Sequence, residues 1–328
     1  MAVRWSRDWP YLLFGGVVGG IGLAALVKAV NTSRIRRELN NSLDVLYPYI
    51  THPHDMAMYT FGKGLLRLPI DRSAVIGYLD ATQDQDGGWP EYWTRMMAVH
   101  RILVGYKMLA ARPARSMDPF FRDYDSFEDI LRYIEGQTHS DARDFYHPLL
   151  AWMLYYHSYP PWIDDAFTYI EQDLSWTDTD DIHKTSHIIY TYVLGRRRLP
   201  NPYSIADRCL KRQDPSGGWF IGTSPIDHLY YAEVCTLELL QIHGLHPEVR
   251  PVEIANAVNK TGRWIASRYR TTIYQGRSCG YFDVDGPSAT PPAGLWHLFL
   301  GINTSVLTCS LPGMADPMWN LVVQQLTH

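Results

Sequence analysis

Two stretches, QDQDGGW (Gln83 to Trp89) and QDPSGGW (Gln213 to Trp219), keep the same order and spacing of Gln, Asp, Gly-Gly and Trp. Each follows a run with helical periodicity. A glycine pair at that point supplies the positive φ that ends a helix in a tight turn. The glutamine amide is suited to satisfy orphan groups at a neighbouring helix end, and the indole to pack over the turn. A degenerate third copy runs from Gln275 to Gly280-Tyr281-Phe282.

Outward from these turns the chain reads as successive helices. Apolar residues recur at three- and four-residue spacing in 91–111, 143–157, 183–195 and 227–244. Strand signals are scarce, and Pro and Gly fall mostly between the helical runs. A looser pattern, a ring or small residue, then an aliphatic, then Gln, recurs at Tyr78-Leu79…Gln83, Tyr133-Ile134…Gln137, Tyr169-Ile170…Gln172 and Cys209-Leu210…Gln213. Each interval has room for one helical hairpin or a little more, the signature of stacked helix pairs. The expected fold is all-α: an (α/α)6 toroid over residues 33–328, read as one domain because no Gly-, Ser- or Pro-rich linker divides it.

Composition narrows the function classes. The chain is 46% hydrophobic and 20% charged, which is globular rather than disordered. A net charge of −4 offers no basic field, so nucleic acid is not an expected partner. Aromatics reach 13%, which points to a thick aromatic core or a cavity lined with rings. Cys209, Cys235, Cys279 and Cys309 form no CxxC pair. That excludes a Cys-rich zinc module and leaves four small buried hydrophobes as the reading.

The segment Tyr11 to Val27 carries no charge over 17 residues, the lower limit for spanning a bilayer. Arg4 and Arg7 precede it; Lys28, Arg34, Arg36 and Arg37 follow it. The heavier basic flank is C-terminal, which predicts a cytoplasmic body behind a single-pass anchor over residues 1–32, with membrane lipid as a partner. A signal peptide cut after Ala29 and a core helix are the alternatives. Sequons at Asn31, Asn40, Asn259 and Asn303 matter only if the body faces outward.

The paired glycine turns resemble the QW motif of triterpene cyclases such as squalene–hopene cyclase. Similar GGW and GGF turns occur in protein prenyltransferase β-subunits, so the turns alone specify a toroid superfamily. Asp178-Thr179-Asp180-Asp181, which follows Trp176, is similar to the DxDD motif of class II terpene cyclases. The resemblance covers roughly residues 55–300. Its single barrel is similar to the smaller cyclases of meroterpenoid or short prenyl substrates. It implies Asp180 as the general acid, with Asp178 and Asp181 in support, and a hydrophobic prenyl chain as substrate. It implies no redox cofactor and no metal, with Mg²⁺ needed only for a diphosphate substrate.

The chemistry suits those residue types. Protonating an alkene or an epoxide needs a carboxylic acid kept neutral at working pH. Carboxylates crowded in a poorly solvated pocket resist joint ionisation, so one keeps its proton. The carbocation that follows is stabilised by ring faces. Candidate rings are Trp89, Trp93, Tyr146, Trp152, Tyr190, Trp219, Tyr230, Tyr281 and Trp296. Candidates to orient the acid's proton are His147, His183, His228 and His297. The chain departs from the family after the motif, with Ile182-His183-Lys184-Thr185 in place of Thr-Ala. A cation at Lys184, one turn after Asp180, favours the charged acid, so it must point away.

Rival readings use the same features. Asp180, His183 and His187 fall on one helical face, and the two histidines have the i, i+4 spacing of metal ligands. A toroid glycan hydrolase or lyase with paired carboxylates and a non-catalytic prenyl-binding protein complete the alternatives.

Overall fold

The computed structural model describes residues 22–136, 144–179, 181–221, 225–283 and 295–308. Within them the chain is mostly helical, with one small sheet. The helices are α1 (Gly22–Leu46), α2 (Pro53–Leu65), α3 (Arg72–Ala81), α4 (Arg95–Met108), α5 (Asp118–Phe121), α6 (Phe127–Glu135) and α7 (Tyr146–Tyr156). They continue with α8 (Ile163–Glu171), α9 (Ile182–Leu194), α10 (Pro202–Arg212), α11 (Pro225–Leu245), α12 (Pro251–Arg268) and α13 (Leu295–Leu307). Strands β1 (Tyr269–Tyr274) and β2 (Arg277–Phe282) form an antiparallel hairpin between α12 and α13.

Burial sorts the helices into two kinds. In α4, α7 and α13 apolar or small residues are buried nearly all the way round. In α6 only Ile130 and Ile134 are buried, and in α8 only Ala166, Phe167 and Ile170. A helix buried all round belongs inside, and one with a single apolar stripe belongs outside. The packing agrees. Helix α2 packs on α4, α4 on α7, α7 on α9, α9 on α11, α11 on α13, and α13 returns to α2. This is a closed cycle of six helices. Helices α3, α10 and α12 lie against α2, α11 and α13 from outside.

Local chemistry starts the helices. Asp71, Thr94 and Ser126 cap α3, α4 and α6, each side chain accepting from a backbone N–H three residues on. Pro53, Pro202 and Pro251 stand at the first positions of α2, α10 and α12, where a missing N–H costs nothing.

The two GGW turns share one geometry. The N–H of Asp84 donates to the Gly88 carbonyl at 2.8 Å, and that of Asp214 to the Gly218 carbonyl at 2.9 Å. Gly87 has φ 91° and Gly217 has φ 103°. Gln83 Nε2 donates to the carbonyls of Gly87 (2.7 Å) and Arg115 (3.0 Å). Gln213 Nε2 donates to those of Gly217 (3.1 Å) and Ala257 (2.9 Å). The indole N–H of Trp89 donates to the Leu79 carbonyl, and that of Trp219 to the Cys209 carbonyl. Each turn therefore ties its own helix to a later segment.

The degenerate copy at Gln275 is different. It is the bend of the β1–β2 hairpin, with Tyr274 opposite Arg277 and positive φ at both Gln275 (49°) and Gly276 (72°). Two positive-φ residues between strands match a type I′ turn. The β-branched run Thr271-Thr272-Ile273 supplies the strand propensity. The stretch is therefore a strand reversal and not a third glycine turn at a helix end.

The hairpin is held by the C-terminal half of α1. Asn41 Nδ2 donates to the Ser278 carbonyl (2.8 Å), Ser42 Oγ to the Gly280 carbonyl (2.7 Å), and Tyr269 Oη to Glu38 (2.7 Å). Among the described residues no helix is long and apolar enough to cross a membrane. Most of the uncharged run Tyr11 to Val27 lies outside them.

Candidate active site: a polar cluster inside the helix cycle

The six helices of the cycle carry ionisable and aromatic residues on their inward faces. Helix α2 supplies His54, and α4 supplies His100 and Arg101. Helix α7 supplies Tyr146 and His147, α9 His187 and Tyr190, α11 Tyr230 and Glu233, and α13 Trp296 and Asn303. The pairs His187/Tyr190 and Tyr230/Glu233 use the i, i+3 spacing that puts two side chains on one helix face. Arg101 and Tyr230 are surrounded by protein yet stay partly accessible.

Arg101 Nη1 donates to His54 Nε2 at 2.6 Å, so His54 is neutral in this contact. Burial lowers the His54 pKa from 6.5 to about 4, against the hydrogen bond that its Nδ1 donates to the Asp55 carboxylate, which raises it. The His54 ring stacks on Tyr92, with centroids 3.9 Å apart and planes 9° apart. The guanidinium of Arg101 lies 4.7 Å from the Trp296 ring centre and 5.9 Å from that of Trp93. These are cation–π distances. Trp93 itself is 59% exposed and has φ 60°, so it stands at the edge of the cluster.

Glu233 is a buried acid on the α11 side of the cluster. Asn303 Nδ2 donates to its Oε1. Burial raises its pKa from 4.5 to about 7, opposed by the bond from Asn303 and by Arg101. Its charge, after burial itself, pushes the Tyr190 and Tyr230 hydroxyls up well above the ordinary phenol value. Tyr146 and Tyr190 pack edge to face at 5.0 Å, and Tyr146 lies 5.6 Å from His187. Asn303 is 3% exposed and engaged with Glu233, so its sequon is no glycan acceptor in the folded chain.

On the α7–α9 side, His187 Nδ1 and Asp144 Oδ2 are 2.7 Å apart. His147 Nε2 lies 3.9 Å from the same carboxylate oxygen, and His147 Nδ1 lies 3.2 Å from His100 Nδ1. The His100 and His147 rings stack at 4.6 Å. Burial holds both far below the usual histidine range.

The acidic motif adjoins the N-terminus of α9. Asp180 lies outside the described residues, as do the side chains of His183 and Lys184. Asp178 is exposed and accepts from Ser204 Oγ at 2.6 Å. Asp181 is exposed, and its carbonyl accepts from Thr185. The motif's backbone is anchored from behind: Arg208 Nη1 donates to the Thr179 carbonyl (2.8 Å) and is near Thr185 Oγ1 (3.0 Å). Arg208 is in turn paired with buried Glu238 at 2.7 Å.

The candidate rings divide. Tyr146, Tyr190, Tyr230 and Trp296 come together on the inner helices, with Trp93 at the rim. Trp89 and Trp219 are fully buried beneath the glycine turns, where their N–H groups serve helix-end carbonyls. Trp152 packs against Phe121 and Tyr156, between α5 and α7. Tyr281 and His297 line a small cleft with Ser42 and Leu46, which shares no residue with the cluster. His228 meets the edge of Phe220 at 4.9 Å. Of the histidines proposed to orient a proton whose side chains are described, His147 is the one in the cluster.

Sequence reasoning missed His54, His100, Arg101, Asp144 and Glu233. The available signal was polar, ionisable side chains inside apolar helical runs: His100 and Arg101 within MMAVHRILV and Glu233 within LYYAEVCTL. In comparison with known proteins, no family model, curated protein or solved structure matches this chain significantly.

Proposed function

We propose that the chain is a class II, protonation-initiated terpene cyclase acting on a polyprenyl or prenylated substrate. In this reading the helix cycle is an (α/α)6 toroid with the substrate chain in its recess, and the N-terminal segment anchors it to a membrane that delivers that chain.

One observation carries the reading. The helix that follows the DTDD motif, α9, belongs to the inner cycle, and its second and third turns bring His187 and Tyr190 against Tyr146. In the sequence, Asp180 comes two residues before this helix, which carries His187 and Tyr190 to the aromatic cluster. Asp180 protonates the terminal alkene or epoxide. Positive charge then migrates as rings close. The guanidinium of Arg101 already covers Trp296, so stabilisation falls to the faces of Tyr146, Tyr190 and Tyr230. Glu233, steadied by Asn303 on the same wall, is the group we assign to accept the final proton.

The test is the lipid extract of cells expressing the full chain, read by mass spectrometry. Wild type yields a cyclised isomer of a prenyl lipid. Asp180→Asn abolishes it, and Glu233→Gln alters the mixture of double-bond isomers while cyclisation continues. Cyclisation that survives Asp180→Asn removes the acid assignment. Consumption of a soluble glycan by wild type, with prenyl lipids untouched, overturns the cyclase reading.

A further inference from the structure

We propose that Asp144, His147 and His187 form a binding site for one divalent transition-metal ion, of the Zn²⁺, Co²⁺ or Fe²⁺ class, beside the aromatic cluster. One ligand atom from each lies within 4.8 Å of the others, and all three residues are buried. Three donors at about 2.0–2.1 Å from a tetrahedral ion stand roughly 3.3 Å apart, so small side-chain rotations close the site.

The surroundings prepare each ligand. His147 stands in the first turn of α7, Asp144 lies two residues before that helix begins, and His187 comes from the neighbouring inner helix α9. The two histidines are thus held by rigid helices, and the carboxylate by the segment that leads into one of them. His147 Nε2 is buried and has no hydrogen-bond partner, an unmet valence directed at the Asp144 carboxylate 3.9 Å away. Its other nitrogen, Nδ1, is engaged with His100 Nδ1. With the proton on His147 Nδ1, the lone pair sits on Nε2, and His100 takes the outer role that orients a metal-bound imidazole. The contact between His187 and Asp144 shares one proton at 2.7 Å. A cation entering there displaces that proton and is neutralised in part by the carboxylate.

The ligand set selects the ion. Imidazole nitrogens suit zinc, iron and cobalt, whereas Mg²⁺ and Ca²⁺ prefer oxygen donors. Two histidines and one carboxylate leave coordination positions open to water or substrate. The rings of Tyr146 and His187 are 5.6 Å apart, so an ion here borders the aromatic wall. This differs from the ligand set suggested by the sequence, Asp180 with His183 and His187. It also departs from the metal-free expectation that the family resemblance carries. It does not depend on the cyclase reading.

The experiment is a cobalt titration of the full chain after exhaustive chelation, followed by visible ligand-field absorption and by metal analysis after gel filtration. Wild type is expected to retain one ion per chain and to show the absorption of a low-symmetry nitrogen–oxygen site. His147→Ala and His187→Ala should each weaken binding by at least about 100-fold, while Glu233→Gln should leave it unchanged. Asp144→Asn, which keeps volume, serves if either alanine variant fails to fold by circular dichroism, and should weaken binding likewise. Wild type that retains no cobalt, or folded ligand variants that bind as tightly as wild type, overturns the site.

Discussion

Arg208 donates to Glu238 at 2.7 Å, and the same guanidinium holds the carbonyl of Thr179 inside the acidic motif at 2.8 Å. Both members of the ion pair are buried, at 7% and 0% side-chain exposure. The pair thus connects α10, α11 and the loop before α9. Removing one member strands the other. Arg208→Met is expected to destabilise the fold by about 3–5 kcal/mol, because Glu238 then loses its counter-charge. The double variant Arg208→Met/Glu238→Met should recover part of that loss. Urea denaturation of the four proteins of the cycle measures it.

The glycine turns make a sharper prediction. A Cβ on Gly87 meets the Ser116 carbonyl oxygen at 2.1 Å, and one on Gly217 meets that of Lys260 at 2.3 Å, both at positive φ. Gly87→Ala and Gly217→Ala should each cost about 1–3 kcal/mol or more. Gly77, exposed on α3 with open space around it, is the control. Gly77→Ala should be neutral or stabilising by about 0.5–1 kcal/mol. Thermal melts of the three variants decide the matter.

Glu233 predicts a pH dependence with a definite sign. Its pKa is raised on folding from 4.5 to about 7. The stability it contributes is complete below 4.5 and is lost as pH rises through 7, to the extent of about 3 kcal/mol. Glu233→Gln keeps an acceptor for Asn303 and cannot ionise. The difference in melting temperature between variant and wild type should therefore grow in the variant's favour from pH 4.5 to pH 7.5.

His54 gives the opposite slope. Its pKa falls on folding from 6.5 to about 4. Its contribution is present above 6.5 and is lost as pH falls through 4, because the unfolded chain takes up the proton first. Protonation of its Nε2 also ends the bond from Arg101. His54→Gln should flatten the decline in melting temperature between pH 6.5 and pH 4.

The glycine turns were legible because their chemistry is local. Gln, Gly, Gly and Trp each have a role within one helix end, and the spacing of apolar residues revealed the helices on either side. The hairpin was not legible. Gln275-Gly276 followed by Gly280 imitates the turn pattern, and only pairing of Tyr269–Tyr274 with Arg277–Phe282 shows it to be a strand reversal. Much of the cluster was hidden for a different reason. Arg101 and Glu233 lie 132 positions apart on separate helices, and each alone is a stray charge in an apolar run. Only closure of the helix cycle makes them neighbours. Tyr146, Tyr190 and Tyr230 were found because aromatic residues on inner helices are common enough to be guessed.

Helix α13 completes the cycle by packing on α2, so residues 295–307 cover one flank of residues 53–65. During synthesis the first inner helix emerges early and waits for nearly the whole polypeptide before its partner leaves the ribosome. Until then an apolar flank of α2, including Phe61 beside Phe299, stands bare. The nascent chain is therefore most exposed to misassociation at its beginning, and a premature stop anywhere before residue 295 leaves that flank permanently uncovered.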